Sequence, residues 1–346
     1  MAELTGVKKL RRLQLGREVA GSPGGEVNAT ATWRGTGTIE DLTPVVFPDE
    51  DIGFYPQSTR SYIPSKQAKL TMDETPATYE QILHVFDAGI NASTADRDGT
   101  SGGYRYTYVF PTTVSDTLTT YTIEGGDNIE EEQMLYSFVE HFTLSGAPGE
   151  AVMLSADWIG RQISTGTYTS TCADTILEVE EVLFNKGKLY IDHDTFTGGV
   201  ATTQAATTWL EFSMDVNTGW QPVTTGDGEL YFTYIKNIGP EITLDLVLEH
   251  NATSIAEVKD TWRTQEGKLI RMIFEGSTFT TTGTSFTKHT LRVDLAGKFE
   301  KVEKIGERNG NDVLEATFKG AYSKDANAGA GKFATILAVV QGSAIQ

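Results

Sequence analysis

The chain has 346 residues, of which 47 are Asp or Glu and 28 are Lys or Arg, so its formal net charge is −19. This balance argues against a protein that wraps nucleic acid through phosphate contacts, which need clustered cations. The single cysteine, Cys172, excludes an intrachain disulfide framework. No apolar run approaches the ~20 residues of a membrane-spanning helix. The acidic excess serves either solubility or the repulsion of a nucleic acid that must not adhere.

Residues 1–30 are predicted to form an N-terminal arm. Basic residues between positions 8 and 12 alternate with apolar ones, and residues 16–25 are rich in glycine. The segment is either a disordered tail or an arm that orders on a neighbouring subunit. Because the start has no apolar h-region, no secretory signal is expected.

A strand–helix pattern follows the arm. Residues 29–41 and 66–73 alternate like strands. Thr75 and Pro76 are typical of a helix start, and Gly89 of a helix end. Between them lies an apolar stripe with the helical spacing i, i+3, i+4, i+7, made by Tyr79, Ile82, Leu83 and Phe86. The pattern predicts one amphipathic helix lying on a sheet.

Residues 138–161 (FVEHFTLSGAPGEAVMLSADWIGR) predict an antiparallel hairpin. Two alternating runs flank the turn residues 146–149. Residues 299–322 resemble this stretch, and three pairs differ by the same 160 positions: Ala156/Ala316, Trp158/Phe318 and Gly160/Gly320. The echo suggests two related domains.

The strand–helix pattern also recurs in the second half. Asn251 is predicted to cap the second helix. At a difference of 176 positions the matching pairs are Leu70/Leu246, Met72/Leu248, Tyr79/Ile255, Ile82/Val258 and Phe86/Trp262. Further matches join residues 104–110 to 268–274, 121–124 to 290–294 and 36–41 to 187–192. An internal duplication is the favoured interpretation, and two unrelated β domains are the alternative.

The predicted organisation is mainly β, with one flanking α-helix in each domain. Thr, Gly, Val, Tyr and Phe are abundant and helical periodicity is rare. The apolar residues 333–340 are expected to form a strand that closes its own sheet or adds to a neighbour. The predicted divisions are residues 1–30 (arm), 31–163 (first domain), 164–175 (linker), 176–323 (second domain, beginning with a strand at 177–184) and 324–346 (C-terminal arm or strand).

No reactive constellation is evident. The patterns HExxH, CxxC, GxSxG and the P-loop are absent. Cys172 lies in a Thr-rich stretch without features that would activate a thiol. Neighbouring residues on a strand point to opposite faces, so Asp192-His193-Asp194 would not converge on a metal. Residues 96–99 (DRDG) begin like a calcium loop, but Thr107 stands where such a loop needs Glu.

Two other groups of residues are interpreted as structural. Glu130, Glu131 and Glu132 fit a solvated loop, and the five tryptophans are spread without a visible sugar-stacking platform. The sequence therefore predicts a non-enzymatic protein with no catalytic, cofactor-binding or metal-binding residues and no cofactor.

The first half resembles the tail tube (major tail) proteins of long-tailed, non-contractile bacteriophages. The resemblance spans residues 7–163. It rests on residues 13–18 (LQLGRE), 35–41 with 47–53 (GTGTIED…FPDEDIG), 121–127 (YTIEGGD) and 138–161, ending SADWIGR. It implies a β-sandwich or half-barrel with one flanking helix, in subunits that join edge to edge into rings which stack into a tube. Most members carry one such domain in sixfold rings, so two domains in one chain imply a trimer with pseudo-sixfold geometry.

The resemblance also implies a place and partners. The protein would belong to the virion, in the phage tail, after synthesis in the host bacterial cytoplasm. Genomic DNA and the tape-measure protein would occupy the lumen transiently, and tail assembly chaperones would bind before assembly. No membrane binding is expected. If each domain gives about four strands to the wall, six domains give about 24, and ~4.8 Å spacing with ~45° tilt predicts a backbone diameter of about 50 Å.

Several finer expectations stay open at this stage. Glu178, Glu180 and Asp245 are candidates for acids that face the lumen. Segments predicted to be mobile before assembly and ordered in the tube are residues 1–30, 43–65, 91–103, 215–228 and 324–346. The alternatives are another tail component with the same sandwich, such as a terminator or a baseplate hub, and a β-sandwich that binds carbohydrate.

Overall fold

The computed structural model describes residues 5–56, 58–114, 117–173, 177–195, 202–281, 283–303, 305–308, 310–324, 332–342 and 345. Strands make up 47% of the chain and helices 9%, so the predicted mainly β class is confirmed. Parts of the predicted arms and linker, namely residues 1–4, 174–175, 325–331, 343–344 and 346, lie outside the described residues.

The first half consists of ten strands, a central helix and two short helical segments. The single-turn 3₁₀ helix Lys8–Leu10 precedes the first strand, and α2 (Ser170–Ala173) follows the last one. The main helix is α1 (Ile82–Gly89). The strands are β1 (Arg12–Arg17), β2 (Ala31–Thr32), β3 (Gly37–Asp41), β4 (Ala68–Pro76), β5 (Asp96–Arg97), β6 (Tyr104–Val109), β7 (Tyr121–Gly126), β8 (Glu131–Gly146), β9 (Met153–Gly160) and β10 (Ile163–Thr165).

The second half has a similar make-up. Its main helix, α3, runs from Ala252–Ser254 through a π-helical turn (Ile255–Lys259) to Asp260–Thr264, and a 3₁₀ turn occupies Phe184–Lys186. The strands are β11 (Gly187–His193), β12 (Trp209–Asn217), β13 (Trp220–Val223), β14 (Tyr234–Asn237), β15 (Glu241–Glu249), β16 (Lys268–Thr278), β17 (Lys288–Val302), β18 (Gly306–Arg308), β19 (Asn311–Gly320) and β20 (Ala334–Val340).

The order in which the strands pair is the same in the two halves. In the first half the antiparallel order is β1–β7–β8–β9–β4–β3. In the second half it is β11–β16–β17–β19–β15–β12. The long strands β8 and β17 each pair with different neighbours at their two ends. The short strand β10 pairs with the first part of β8, and β20 pairs with the equivalent part of β17. The pairing order of these six strands is therefore the same in the second half as in the first.

A β-bulge at the same position strengthens this correspondence. On β8 the register shifts between Val139 and His141, opposite Trp158 and Asp157. On β17 it shifts between Phe299 and Lys301, opposite Phe318 and Thr317. The extra residues, Glu140 and Glu300, differ by the same 160 positions as the hairpins. A bulge bends a strand and increases its twist. Here it lies just beyond the point where each long strand changes partners, which is between Ser137 and Phe138 on β8 and at Gly297 on β17.

Several sequence matches need correction. Leu70 pairs with Trp158, and Leu244 pairs with the equivalent Phe318, so Leu244 and not Leu246 is the counterpart of Leu70. The match of residues 104–110 to 268–274 is wrong, because β6 pairs with β20 whereas β16 takes the place of β7. It follows that β17 corresponds to β8, so matching 121–124 to 290–294 is wrong. β11 corresponds to β1, so matching 36–41 to 187–192 is also wrong.

The first helix begins later than its sequence signals indicate. Thr75 and Pro76 end β4, where Pro76 lies opposite Met153, so the predicted helix start is wrong. Helix α1 starts at Ile82 and ends at Gly89 as predicted, and all eight of its residues are buried. Gly89 lets Thr218 pack closely against the helix end, because a Cβ atom at this position would lie only 3.1 Å from Thr218 Cγ2. The second cap is confirmed, because Asn251 and Ser254 form a reciprocal capping box.

Parts of the predicted arms and loops belong to the fold. The arm is wrong for residues 12–17, which form β1 between β2 and β7 and bury Leu13 and Leu15. The predicted linker contains the end of β10 and helix α2. The loop 215–228 contains the end of β12 and all of β13. No strand is found at 177–183, where only isolated bridges occur.

The C-terminal strand lies inside the molecule. β20 pairs on one side with β17 and on the other with β6 of the first half. Six of its seven residues are buried. The expectation that this apolar strand must find partners is confirmed, and it finds them in both halves of its own chain.

Candidate assembly surfaces

Eight strands form one continuous antiparallel run, four from each half, in the order β3–β4–β9–β8–β12–β15–β19–β17. Alternate residues along the run face the buried core, among them Leu70, Trp158, Phe142, Met214 and Leu244. The residues between them form an open face. Such alternation is typical of an antiparallel sheet with one solvated side.

The open face is acidic over most of its width. Its carboxylates are Glu40, Glu74, Asp157, Glu211, Asp215, Glu241, Asp245, Glu303 and Glu315. The basic side chains include Lys69 and His141 in the first half, and Lys298, Lys301 and Lys319 on the last two strands. The run therefore has an acidic end at β3, where Glu40 and Asp41 lie, and a lysine-bearing end at β17 and β19.

Strands β8 and β12 join the two halves in the middle of this run. Residues 141–146 of β8 pair with residues 212–217 of β12. His141 Nε2 lies 2.9 Å from Asp215 Oδ2 across the junction. The bulge residue Glu140 offers its carbonyl oxygen to the backbone N–H and the hydroxyl of Thr218, at 3.0 and 2.8 Å. Backbone pairing, the contact between His141 and Asp215, and the hydrogen bonds from Thr218 to the bulge residue thus fix the register of the junction.

A hairpin from the second half covers part of the first half's open face. This cover hairpin consists of β13, β14 and the connection between them. Trp220 of β13 and Phe232 of the connection are buried against Tyr136, Phe138 and Ile159. This apolar contact shields Tyr136 and Phe138 of β8 from solvent.

Arg161, the last residue of the SADWIGR motif, clamps the cover hairpin. Its guanidinium carbon lies 4.3 Å from the ring centre of Tyr136 and 4.9 Å from that of Tyr231. It donates hydrogen bonds to the carbonyl oxygens of Phe232 and Thr233, at 3.1 and 2.8 Å. Stacked arginines of this kind combine cation–π attraction with directional bonds. The sequence alone gave no role for this residue.

The outer edges of the eight-strand run have no partner within the described chain. β3 pairs only with β4. At the other end, residues 301–303 pair with β19 and leave their second side open. By strand order β3 corresponds to β12, and residues 301–303 correspond to residues 141–143 of β8. The two free edges are therefore the counterparts of the two edges that meet inside the chain.

The three predicted lumen acids lie in different places. Asp245 is on the open face, where it accepts a hydrogen bond from Thr317 at 2.6 Å. Glu178 and Glu180 are not on strands and lie in a cleft of about 330 Å³ between the halves. Glu180 accepts hydrogen bonds from the backbone N–H and the hydroxyl of Ser277.

The cleft between the halves also contains Glu80 and His289. Burial raises the pKa of the Glu80 carboxyl and lowers the pKa of the His289 imidazole. His289 Nδ1 lies 3.5 Å from Glu80 Oε1, and the ring packs on Phe279 with the ring centres 4.7 Å apart. Among the described residues, no three His, Cys, Asp or Glu side chains are grouped to hold a metal.

The remaining sequence candidates serve the fold. Asp192 accepts hydrogen bonds from Thr202 and Thr203, whereas Asp194 accepts one from Ser323, so the two carboxylates diverge. In the DRDG stretch, buried Asp98 accepts from the backbone N–H groups of Ser285 and Phe286. These bonds hold residues 96–99 against the second half.

Cys172 and the glutamate cluster likewise make structural contacts. Cys172 is buried, with its Sγ 3.4 Å from Thr32 Oγ1. Glu131 and Glu132 begin β8 and are not in a loop, and Glu131 accepts from the backbone N–H of Tyr168. Within the described ranges, no helix combines the length and apolarity of a membrane crossing.

Comparison with known proteins identifies no family. No protein-family model matches the chain, and no curated protein matches it. The function must therefore be argued from the surfaces described above.

Proposed function

We propose that the protein is a structural subunit whose copies join edge to edge into rings, and that the rings stack into the tail tube of a long-tailed, non-contractile bacteriophage. The observation that carries this proposal is the junction of β8 with β12. The chain already joins two equivalent units in this way, and the counterparts of the joined edges are open at its two ends. Head-to-tail contacts that close by rotation generate rings and remove exposed strand edges.

The directions of the backbone groups support such a contact. Glu303 donates its N–H to Glu315 on β19, and Leu42 donates its N–H to Gln67 on the β4 side. Successive residues of a strand direct their N–H and C=O groups to opposite sides. The preceding residues, Val302 and Asp41, therefore direct their N–H groups toward the free edges. Their counterparts in the internal junction, Phe142 and Val216, lie opposite each other. The same register would place Asp41 opposite Val302 of the next chain.

The charges at the two edges are also compatible with this register. The counterparts of His141 and Asp215, which are in contact inside the chain, are Lys301 and Glu40. Lys301 and Glu40 carry opposite charges at the proposed contact. Glu303 would face Glu40 directly, so Lys301 would lie between two carboxylates.

Ring size follows from the strand count. Three copies with eight strands each would give about 24 strands, hence a wall about 50 Å in backbone diameter at ~4.8 Å spacing and ~45° tilt. This leaves room for a DNA duplex. The proposed ring is a trimer of tandem units with pseudo-sixfold geometry.

The acidic open face supports a conduit role. If this face lines the lumen, its carboxylates repel phosphates, so DNA and the tape-measure protein pass without adhering. We place the mature protein in the virion, after synthesis in the host cytoplasm, with assembly chaperones as earlier partners and no membrane contact.

Negative-stain electron microscopy of the concentrated protein tests the proposal. We expect rings and tubes for the wild type and only monomers for Asp41→Pro, because proline removes an N–H aimed at the free edge. Asp41→Asn keeps that N–H and should still assemble.

Three results would count against the proposal as stated. A wild type that stays monomeric at high concentration would overturn it, as would normal tubes from Asp41→Pro. Rings that never stack would favour a tail terminator or hub protein instead.

A further inference from the structure

Two loops occupy equivalent places in the two halves, but one packs on the protein and the other is exposed. The loop between β12 and β15 contains the cover hairpin, which lies on the first half and buries Trp220 and Phe232. The loop between β3 and β4 starts in the same way, since Leu42 N–H bonds to Gln67 and Val46 pairs with Tyr62. Among the described residues, however, its aromatic side chains cover no comparable surface and stay exposed.

The tip of this first loop exposes many large apolar side chains. Phe54 is 73% exposed and Phe47 is 67% exposed, whereas Phe232 of the cover hairpin is 3% exposed. Exposed apolar residues in this density mark an interaction surface. The exposed set in residues 42–63 is Leu42, Val45, Phe47, Ile52, Phe54, Tyr55, Tyr62 and Ile63.

The second half has an uncovered counterpart of the surface on which the cover hairpin lies. Phe138 pairs with Ile159 under the hairpin, and at the equivalent place Lys298 pairs with Lys319. Both lysines are exposed, as are Lys301 and Tyr322 nearby. We call these four residues the lysine patch.

The charges of the loop and the patch are opposite. The loop carries exposed Asp49 and Asp51 beside its aromatic residues, and Glu50 is held by Arg60 at 2.6 Å. In a chain with a net charge of −19, a group of lysines on an acidic sheet is an attractive site for such a loop. Lysine stems also offer apolar surface to aromatic rings.

We propose that the loop 42–63 of one copy packs across the lysine patch of the next copy, as the cover hairpin packs across the first half of its own chain. The aromatic residues then cover the open face beside the joined edges, and Asp49 and Asp51 meet Lys298 and Lys319. The inference rests on the proposed head-to-tail contact and adds a second, side-chain-specific component to it.

Charge reversal tests this contact. The double variant Lys298→Glu/Lys319→Glu, and separately Asp49→Lys/Asp51→Lys, should each raise the concentration needed for assembly about tenfold at low ionic strength. Combining all four substitutions in one chain should restore assembly to within about threefold of the wild type. Lys236→Glu, at another exposed lysine, is the matched control and should change little. Sedimentation velocity measures association, and circular dichroism checks the fold.

A second measurement locates the contact directly. Phe54 is replaced by the photo-crosslinking residue p-benzoylphenylalanine, and isotopically heavy and light chains are mixed. We expect heavy–light crosslinks to residues 298–322. The same replacement at Tyr231, which stacks on Arg161, should crosslink within one chain, to residues 136–161.

The outcomes separate this inference from the proposed function. Tubes that form normally with either charge-reversed pair, or crosslinks from Phe54 to another surface, would overturn the loop contact and leave the edge pairing intact. Failure of the fourfold variant to recover would also overturn it. A wild type that never associates would overturn both.

Discussion

The two main helices occupy equivalent places, yet one is enclosed and the other is half open. Every residue of α1 is buried. Arg17 forms an ion pair with its Asp87 at 2.6 Å, and Tyr108 donates a hydrogen bond to the carbonyl of Leu83. By contrast, α3 exposes a full side, formed by Ala252, Ala256, Asp260, Arg263 and Thr264.

Part of this difference comes from the position of each half in the chain. The second half supplies Thr218 against Gly89, His289 against Tyr79, and β20 beside the first half's β6. Around α3, by contrast, the described residues leave the side formed by Ala252, Ala256 and Asp260 exposed. Contacts from the second half therefore complete the packing around α1, whereas α3 keeps a solvent-exposed side.

The buried charges differ as well. Arg271 and Asp294 pair across β16 and β17, with Arg292 also 3.1 Å from Asp294. The same ladder position in the first half holds the apolar pair Ile123 and Met134. In the first half a fully buried carboxylate, Asp87, lies on the helix instead, and burial raises its pKa against the opposing effect of Arg17. The two halves therefore share a strand order but place their buried charged side chains at different positions.

Removing equivalent core side chains should have the largest effect. Trp158 and Phe318 are fully buried at matching positions. We expect Trp158→Ala and Phe318→Ala each to lower the free energy of unfolding by about 3–5 kcal/mol, because each leaves a cavity. Since one apolar cluster and the β8–β12 pairing connect the halves, each variant should unfold in a single transition. Calorimetry that resolves two transitions, with one half unaffected, would contradict this coupling.

Removing the arginine clamp should have an intermediate and local effect. Arg161→Ala should cost about 2 kcal/mol, since it removes ring stacking and two hydrogen bonds. Hydrogen exchange should then accelerate in residues 220–237 and remain slow in β15 and β19. Arg161→Lys is the matched variant, which keeps the charge but loses the planar fork and should recover only part of the loss. Unchanged exchange in the hairpin would show that the clamp does not hold it.

Titration of His289 should have the smallest effect. Burial lowers the pKa of this imidazole from its ordinary value of 6.5, although nearby Glu180 opposes the shift. The unfolded chain therefore binds a proton that the folded chain does not. The stabilising contribution is fully present above pH 6.5 and is lost as the pH falls below it, by at most about 1.4 kcal/mol per pH unit.

Denaturant unfolding at several pH values measures this effect. His289→Gln should lose stability less steeply than the wild type between pH 6.5 and 5. Parallel curves for wild type and His289→Gln would contradict the assignment.

Local patterns predicted much of the fold. Alternation identified the hairpin of β8 and β9, and helical spacing identified both helices. The helix start failed because Thr75 and Pro76 fit the end of β4 as well as a cap, and only the pairing of Pro76 with Met153 distinguishes the two. The register of β15 was misjudged by two residues, since a shift of two keeps every leucine on the same face. Nothing in the sequence separated Arg161 from an ordinary surface cation.

By itself, the sequence determined the mainly β class, the recurring strand–helix unit and the acidic balance. These follow from spacing and composition, which act over a few neighbouring residues. Only the tertiary structure decided that β20 lies between the halves, that β8 joins β12, and that the aromatic side chains of the 42–63 loop are exposed. Those features depend on backbone pairing between segments far apart in the chain, and many registers satisfy the same local alternation.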